Sequence, residues 1–525
     1  MSRNPGCPDS RKATGLLMVL LAIPVLPMTA QLANALDPIE NWPELRALLH
    51  GEADKRPVML SRGSRITLDA RTAVLAPDLS LRQVLPVNDS TVRIPANGVL
   101  TFALDVSEPM YVTGFLSLAA DPADLRPGLR AYILSDTTVV GAPMIFQEVP
   151  EGHAQIDFDL PGNMPDKKVK LATWRLEPGR HYVSIAGPHY RAGGDFKSLE
   201  LQGLGIVPES PTHTFSQFAD THIGYANEYE SEVHRGGQSA LKLGDTLDTL
   251  RQQGVAYAII AGDMTDDAKQ PQFTFLANAI AAGGGLEVYG CVGNHDSYHP
   301  SSRPELLETC PDLFPGGKTN YVLHKPPLRF IVVDAANWMT PEGKVGNIAP
   351  RWDDYYRFHR SPRCGMGPDG IKWFRRTLAA DTTTLTVVVS HFPFSISPGK
   401  TPCGYVMDVH AEQGELQEFV KAAPNVVATI SGHFDLNHVE TFQNDYGDDV
   451  TSFQGPPFCS WPGGYRVFRV YTDGDDVRLE WETRLVDNMG YVSTAEPECR
   501  DSTSLSWRIS TGDDLAGQIS LRGKE

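Results

Sequence analysis

The stretch AYAIIAGDMTD, residues 256–266, is the most telling in the chain. An uninterrupted apolar run (256–261) stops abruptly at Gly262, and Asp263 and Asp266 follow at once. A run this short, closed by glycine and acids, reads as a strand buried on both faces rather than as a helix. Strands of that kind belong to parallel sheets covered by helices, and ligand-binding side chains gather at their carboxyl ends. Further runs of the same texture, rich in Val and Ile, occupy 215–219, 286–292, 328–333, 385–390 and 426–431. Helical patterns lie between several of them, at 238–253 and 370–378. The expectation for this half of the chain is an α/β arrangement.

Upstream the texture differs. Between 37 and 210, short alternating runs recur at 65–68, 99–106, 110–118, 129–134, 181–186 and 199–206, broken by Pro, Gly, Asn and Asp. That pattern predicts an antiparallel β-sandwich. It carries no cluster of catalytic residue types, so packing against or supporting the other domain is its default role, and fold alone assigns no function to it. The segment 207–211 (VPESP) reads as a linker. Residues 339–370 are irregular and rich in aromatic, proline and charged residues, as binding loops often are.

Of 525 residues, 41% are hydrophobic and 21% charged, a globular composition too long for one ordinary domain. The formal net charge of −18 argues against long nucleic acid as a partner, since that binding draws on Lys and Arg against phosphates. A small phosphorylated substrate remains compatible, because bound cations can dominate the local field. Arg3, Arg11 and Lys12 precede an apolar stretch (15–28), and Ala33-Asn34-Ala35 offers small residues at a cleavage spacing. Residues 1–35 therefore read as a signal peptide, with the protein exported to the periplasm or the extracellular space. The rival reading is an uncleaved anchor, which Pro24, Pro27, Gln31 and Asn34 disfavour, and no stable membrane insertion is expected after cleavage. Cleavage would remove Cys7 and leave Cys291, Cys310, Cys364, Cys403, Cys459 and Cys499. An even count in an exported chain predicts three disulfides; buried free thiols are the alternative, with Cys291 in an apolar run the first candidate.

Five polar clusters stand at the ends of the apolar runs. They are Asp220-Thr221-His222, Gly262-Asp263-Met264-Thr265-Asp266, Gly293-Asn294-His295-Asp296, Ser390-His391 and Gly432-His433-Phe434-Asp435. Carboxylate and amide oxygens mixed with imidazole suit Zn, Fe or Mn. A carboxylate such as Asp263 can bridge two cations, which about 3.5–4 Å apart can hold a hydroxide and clamp a phosphoryl group. A spare histidine can protonate the leaving oxygen. Any one of these histidines taken alone would more often be a core or surface residue; the ordered set is what carries the reading.

The ordered set resembles the calcineurin-like metallophosphoesterases, whose pattern runs D-x-H, G-D-x-x-D, G-N-H-D/E, H, G-H-x-H, and the resemblance covers roughly 214–471. It implies a four-layer βαβ sandwich, α/β in class, preceded here by the small all-β sandwich. The implied organisation is a signal peptide (1–35), an accessory β-domain (37–210), a phosphoesterase domain (211–490) and a C-terminal extension (491–525). By position, Asp220 and His222 would bind a first metal ion, Asp263 would bridge, and Asn294, His391 and His433 would bind a second. His295 would contact the phosphate as general acid, Asp296 would orient it, and Asp266 would be structural or support the ligands. The family's last motif ends in His, whereas Asp435 stands here. Asp435 is favoured as the replacement ligand, with His438 the alternative, and an oxygen ligand favours Mn or Fe over Zn. The implied activity is exported, metal-dependent hydrolysis of a phosphate mono- or diester, with a small molecule or a lipid headgroup as substrate. The alternatives are a degenerate, non-catalytic protein that binds a metal or a surface ligand, and an adhesive protein acting through the sandwich. Metal content separates the first of these from the enzyme.

Overall fold

The computed structural model describes residues 53–69, 74–75, 85–88, 91–94, 99–118, 130–135, 139–140, 168–186, 194–204, 210–224, 236–338, 364–394, 413–434, 436–459, 464–486 and 516–522. Residues 1–35, most of the 207–211 segment, Asp435, Cys403 and Cys499 lie outside them.

The N-terminal strands form two six-stranded sheets. In the first, Val99–Val106, Gly179–Ala186 and Arg130–Ser135 pair antiparallel, and Val58–Leu60 joins in parallel. The second centres on Gly194–Leu204, which pairs antiparallel with Met110–Leu118, Arg65–Asp69 and Thr91–Ile94. Leu60, Leu104, Met110, Val112, Leu199 and Leu201 are buried, as an all-β domain with its own apolar core requires.

Two further six-stranded sheets build the α/β half. We label their strands β1 (His213–Phe218), β2 (Tyr257–Ile260), β3 (Glu287–Gly290), β4 (Tyr321–Lys325), β5 (Leu328–Val333), β6 (Leu385–Ser390), β7 (Val426–Ser431), β8 (His438–Gln443), β9 (Asp449–Gln454), β10 (Gly464–Asp473), β11 (Asp476–Leu485) and β12 (Ala516–Arg522). One sheet runs β3-β2-β1-β10-β11-β12, its first three strands parallel; the other runs β4-β5-β6-β7-β9-β8, parallel from β5 to β9. The six sequence runs all become strands, and 257–260, 328–333, 385–390 and 426–431 are buried along their whole length. Aromatic rings join the two sheets: Phe215, stacked at 4.7 Å on its same-sheet neighbour Phe468, meets Phe330 of the facing sheet edge-on at 5.4 Å, and Phe453 of that sheet meets Phe468 at 5.0 Å. Helices α1 (Gly236–Gln252) and α2 (Gln270–Ala282) bury Leu243, Leu247, Leu250, Phe273 and Leu276. After the short α3 (Ser302–Thr309), helices α4 (Gly367–Ala380) and α5 (Gln413–Lys421) bury Phe374, Leu378, Leu416 and Val420. Apolar faces of helices thus cover sheets that are apolar on both sides, which gives the four-layer sandwich. Strand β12 comes from what reads as a polar tail and closes the edge of the first sheet against β11.

The β-domain meets this sheet through side chains of β10 and β11. Tyr111 donates to the buried Glu480 carboxylate at 2.7 Å, Arg175 bonds the Tyr471 hydroxyl, and Arg478 lies over the Tyr111 and Tyr471 rings. Arg469 spans Glu480 and Glu482, both at 2.8 Å.

The cysteines correct one expectation. Cys291, Cys310 and Cys364 are buried free thiols and Cys459 is buried too, so three disulfides do not form. Two of these thiols face backbone carbonyls in the interior: Cys291 Sγ lies 3.3 Å from the Val333 carbonyl oxygen and Cys310 Sγ 3.4 Å from that of Phe273. Burial pushes the Cys310 thiol up to about 12, which keeps it protonated and inert. Among the described residues no helix is long and apolar enough to cross a membrane.

Candidate metal centre

Because β1, β2 and β3 run parallel, their carboxyl ends fall on one edge, and the same holds for β6 and β7 in the facing sheet. The chain segments leaving those ends carry Asp220 and His222, Asp263, Asn294 and His295, His391, and His433. Residues spread over more than two hundred positions therefore meet where the two edges face each other.

Backbone conformation at these ends is unusual. Asp220 (φ 53°), His222 (φ 41°), Asp263 (φ 48°) and His433 (φ 79°) are all left-handed, a region that costs an L-residue about 1–2 kcal/mol. The turns are held by cross-strand bonds: Asp220 N donates to Gly262 O, His222 N to Asp263 O, and Cys459 N to Asp220 O. Close approach explains two glycines of the motifs. A Cβ on Gly293 would lie 2.1 Å from Asp263 Oδ1, and one on Gly262, itself at φ 91°, would lie 2.4 Å from the His391 ring.

Donor atoms converge in two groups that share one residue. Asp220, His222 and Asp263 bring one donor atom each within 4.8 Å of one another, and so do Asp263, His391 and His433. Asp263 Oδ2 stands 3.0 Å from His391 Nε2 and 3.8 Å from His222 Nε2, while Oδ1 accepts from His295 N at 2.8 Å. Desolvation works to raise the Asp263 pKa, but His391, His295 and His222 together hold it well below the carboxylate range. Asn294 Oδ1 lies 3.1 Å from His391 Nε2, and His433 N donates to both Asp220 oxygens at 3.0 and 3.1 Å. A buried, ionised carboxylate flanked by imidazoles on both sides fits two cations, which would replace these contacts with metal–ligand bonds. None of the metal-capable groups among the described residues includes His438, whose backbone pairs with Gln454 at the start of β8.

The third convergent group, His222, Asp266 and His295, revises two roles. Asp296 does not orient His295. Its fully buried carboxylate accepts from the backbone nitrogens of Met264, Thr265 and Gly293 at 3.1, 2.8 and 2.9 Å and from the Thr265 hydroxyl at 3.0 Å. Asp296 thus clamps the loop after β2 to the loop after β3. Burial first and the Asp263 charge second raise its pKa. His295–Ser297 is a single 3-10 turn, in which successive side chains diverge, so neighbours in sequence face different ways. Asp266 takes the orienting role: His295 Nδ1 lies 2.7 Å from its carbonyl oxygen and 3.8 Å from its carboxylate, and His222 Nδ1 is 3.2 Å from that carboxylate. Hydrogen bonding at Nδ1 fixes the orientation of the His295 ring and so the direction of Nε2. Burial lowers the His295 pKa, and Asp263 opposes that shift. The spacing G-D-x-x-D carried the signal for Asp266, but nothing in sequence tied it to His295.

Tyr298 packs beside His295, ring centroids 5.0 Å apart, and stacks on Trp338. Trp338 is buried and donates from Nε1 to Ser297 O at 2.8 Å, so it braces the 295–297 turn.

Residues 213–435 match the calcineurin-like phosphoesterase family. The uncharacterized protein YvnB of Bacillus subtilis (strain 168) is 21% identical over 314 residues, which make up 57% of this chain. The chain spans only 22% of that relative's length. Similar solved structures include a dimetal phosphatase from Danio rerio, at 14% identity over 60% of this chain and 100% of that one, with a TM-score of 0.41. A second is the purple acid phosphatase PPD1 from yellow lupin (Lupinus luteus) seeds, at 12% identity, 74% and 78% coverage and a TM-score of 0.35. Residues 213–435 of this chain are thus a calcineurin-like phosphoesterase domain.

Proposed function

We propose that the protein is an exported hydrolase of a phosphate mono- or diester, dependent on two metal ions. The observation that carries this reading is Asp263, shared between two groups of donor atoms with His295 beside it. Asp220 and His222 would hold one ion, Asn294, His391 and His433 the other, and Asp263 both; Asp435 is the proposed remaining ligand. When bound, such ions supply Lewis acidity toward the phosphoryl oxygens and an acidified water as nucleophile. The chain's own contribution is positional. Left-handed turns fix the ligands before any substrate arrives, and Asp296 locks two of the ligand loops together. His295, held at Nδ1 by Asp266, would give a proton to the leaving oxygen from Nε2. An incoming phosphate brings negative charge to that ring and favours its protonated form. Export rests on the signal-like segment 1–35, and the substrate is a small or lipid-linked phosphate ester.

The test is hydrolysis of p-nitrophenyl phosphate beside bis-p-nitrophenyl phosphate by the purified protein with Mn, Fe or Zn. Turnover of either ester, abolished in Asp263→Ala and His295→Ala, supports the reading, and the preferred ester sets the substrate class. A protein that binds no metal and turns over neither ester refutes it.

A further inference from the structure

Arg466 lies on β10, in the sheet opposite β7 and β9, and its side chain is fully buried. Burying a guanidinium is costly unless its donors are met. Nη1 donates to Gln217 Oε1 at 3.0 Å and to Gln454 O at 3.1 Å, Nη2 donates to Asn437 Oδ1 at 2.6 Å, and the cation sits 5.6 Å from the centre of the Phe453 ring.

These partners lead to the two ends of a single segment, 432–437, which carries His433. At its start, Gln217 Nε2 donates to Ser431 O at 2.9 Å and Gln454 Nε2 to Gly432 O at 3.4 Å. At its end, Asn437 is gripped by Arg466 and by the Thr483 hydroxyl at 3.2 Å. Gln217, Gln454, Asn437 and Thr483 are all buried. From the same segment His433 N reaches the Asp220 carboxylate, so a shift of the segment would move donors on both sides of Asp263.

A well-packed apolar side chain would stabilise this seam at least as well as a buried cation does. What arginine adds is a rigid planar fork whose separate nitrogens reach three segments in fixed directions, whereas a lysine offers a single nitrogen on a flexible stem. We propose that Arg466 is a positioning residue: through Gln217, Gln454 and Asn437 it fixes both ends of segment 432–437 and so sets the place of His433 in the metal centre. The proposal rests on the metal-dependent reading above.

Manganese alone is the probe, titrated into the full chain and into Arg466→Lys and Asn437→Ala, with bound metal, the spin-coupled signal of a manganese pair and the thermal midpoint measured for each. Wild type is expected to bind two equivalents. Both variants should fold and bind manganese about 10–100-fold more weakly, with the coupled signal lost first. Arg466→Lys keeps the charge, so a weakened site there isolates the fork geometry. If Arg466→Lys does not fold, Asn437→Ala, which leaves the guanidinium in place, decides alone. Folded variants with wild-type affinity overturn the proposal, as does loss of fold in both, which would make the network purely structural. A wild type that binds two ions of neither manganese, iron nor zinc overturns the metal-dependent reading itself, and the proposal with it.

Discussion

The strand ends of the phosphoesterase domain and the hairpins of the N-terminal sandwich obey different rules. Among the described residues, the non-glycine positions with left-handed backbone are Asp220, His222, Asp263, Ala268 and His433, and four of these five are candidate ligands or the shared carboxylate. Between 53 and 204 the only left-handed positions described are Gly63 and Gly179, where the conformation is nearly free. Strain persists only where the surroundings over-determine it, and it clusters at sites that use it. One region holds acids and imidazoles in place against local preference; the other shows no such device among its described residues.

That contrast can be broken by mutation. The largest effect is expected for Asp263→Ala, which removes the donor common to both groups: bound metal falls below one equivalent and phosphate-ester hydrolysis drops by about 10³-fold. Metal analysis beside the p-nitrophenyl assay checks it, and retention of two ions would remove Asp263 from the bridging position. Next comes a matched pair of glycine substitutions. Gly293→Ala drives a methyl group into Asp263, and a misplacement of that kind costs activity about 10²-fold. Gly63→Ala lies at positive φ but meets nothing within 4 Å, so it should cost about 1 kcal/mol and leave turnover unchanged. Equal losses of activity in the two would erase the distinction between the regions. Smaller again is Asp266→Asn. Its carbonyl still holds His295 Nδ1, while the carboxylate facing His222 and His295 becomes neutral, and about a 10-fold loss is expected. The loss should be greater for an alkyl phosphate than for p-nitrophenyl phosphate, because a poor leaving group needs the proton more. A loss independent of the leaving group would leave Asp266 supporting the His222 ligand alone.

Apolar runs that end in glycine and an acid were readable as buried strands because burial on both faces leaves no alternation to confuse with a helix; β2, β5, β6 and β7 are such cases. The convergence of their ends was equally readable, since parallel strands share an edge. What sequence adjacency obscured was direction. His295 and Asp296 are neighbours, yet the 3-10 turn sends one ring to the site and the other side chain into the loop junction. Asp266 and His295 lie far apart in the chain and meet through a backbone carbonyl, which no pattern of residue types encodes. The cysteines misled for a similar reason: an even count speaks for pairing, but Cys291 and Cys310 are spaced by the needs of the apolar core. Arg466, in an apolar strand, had no sequence signal marking it as a link between the two sheets.

The smallest effect tests what the sandwich does. If it serves as support, its contact with the first catalytic sheet should matter for stability and not for chemistry. Tyr111→Phe keeps the ring and its packing under Arg478 but removes the donor to Glu480, a buried carboxylate that Arg469 also contacts. Leaving such an acceptor short of one bond costs about 1–3 kcal/mol, which thermal unfolding detects as a lowered midpoint. Bound metal and the turnover number should stay at wild-type values, because Tyr111 reaches β11 and the candidate ligands lie at the ends of β1, β2, β6 and β7. A changed turnover number at unchanged metal content would mean that the sandwich shapes the site, and the two regions would have to be read as one functional unit.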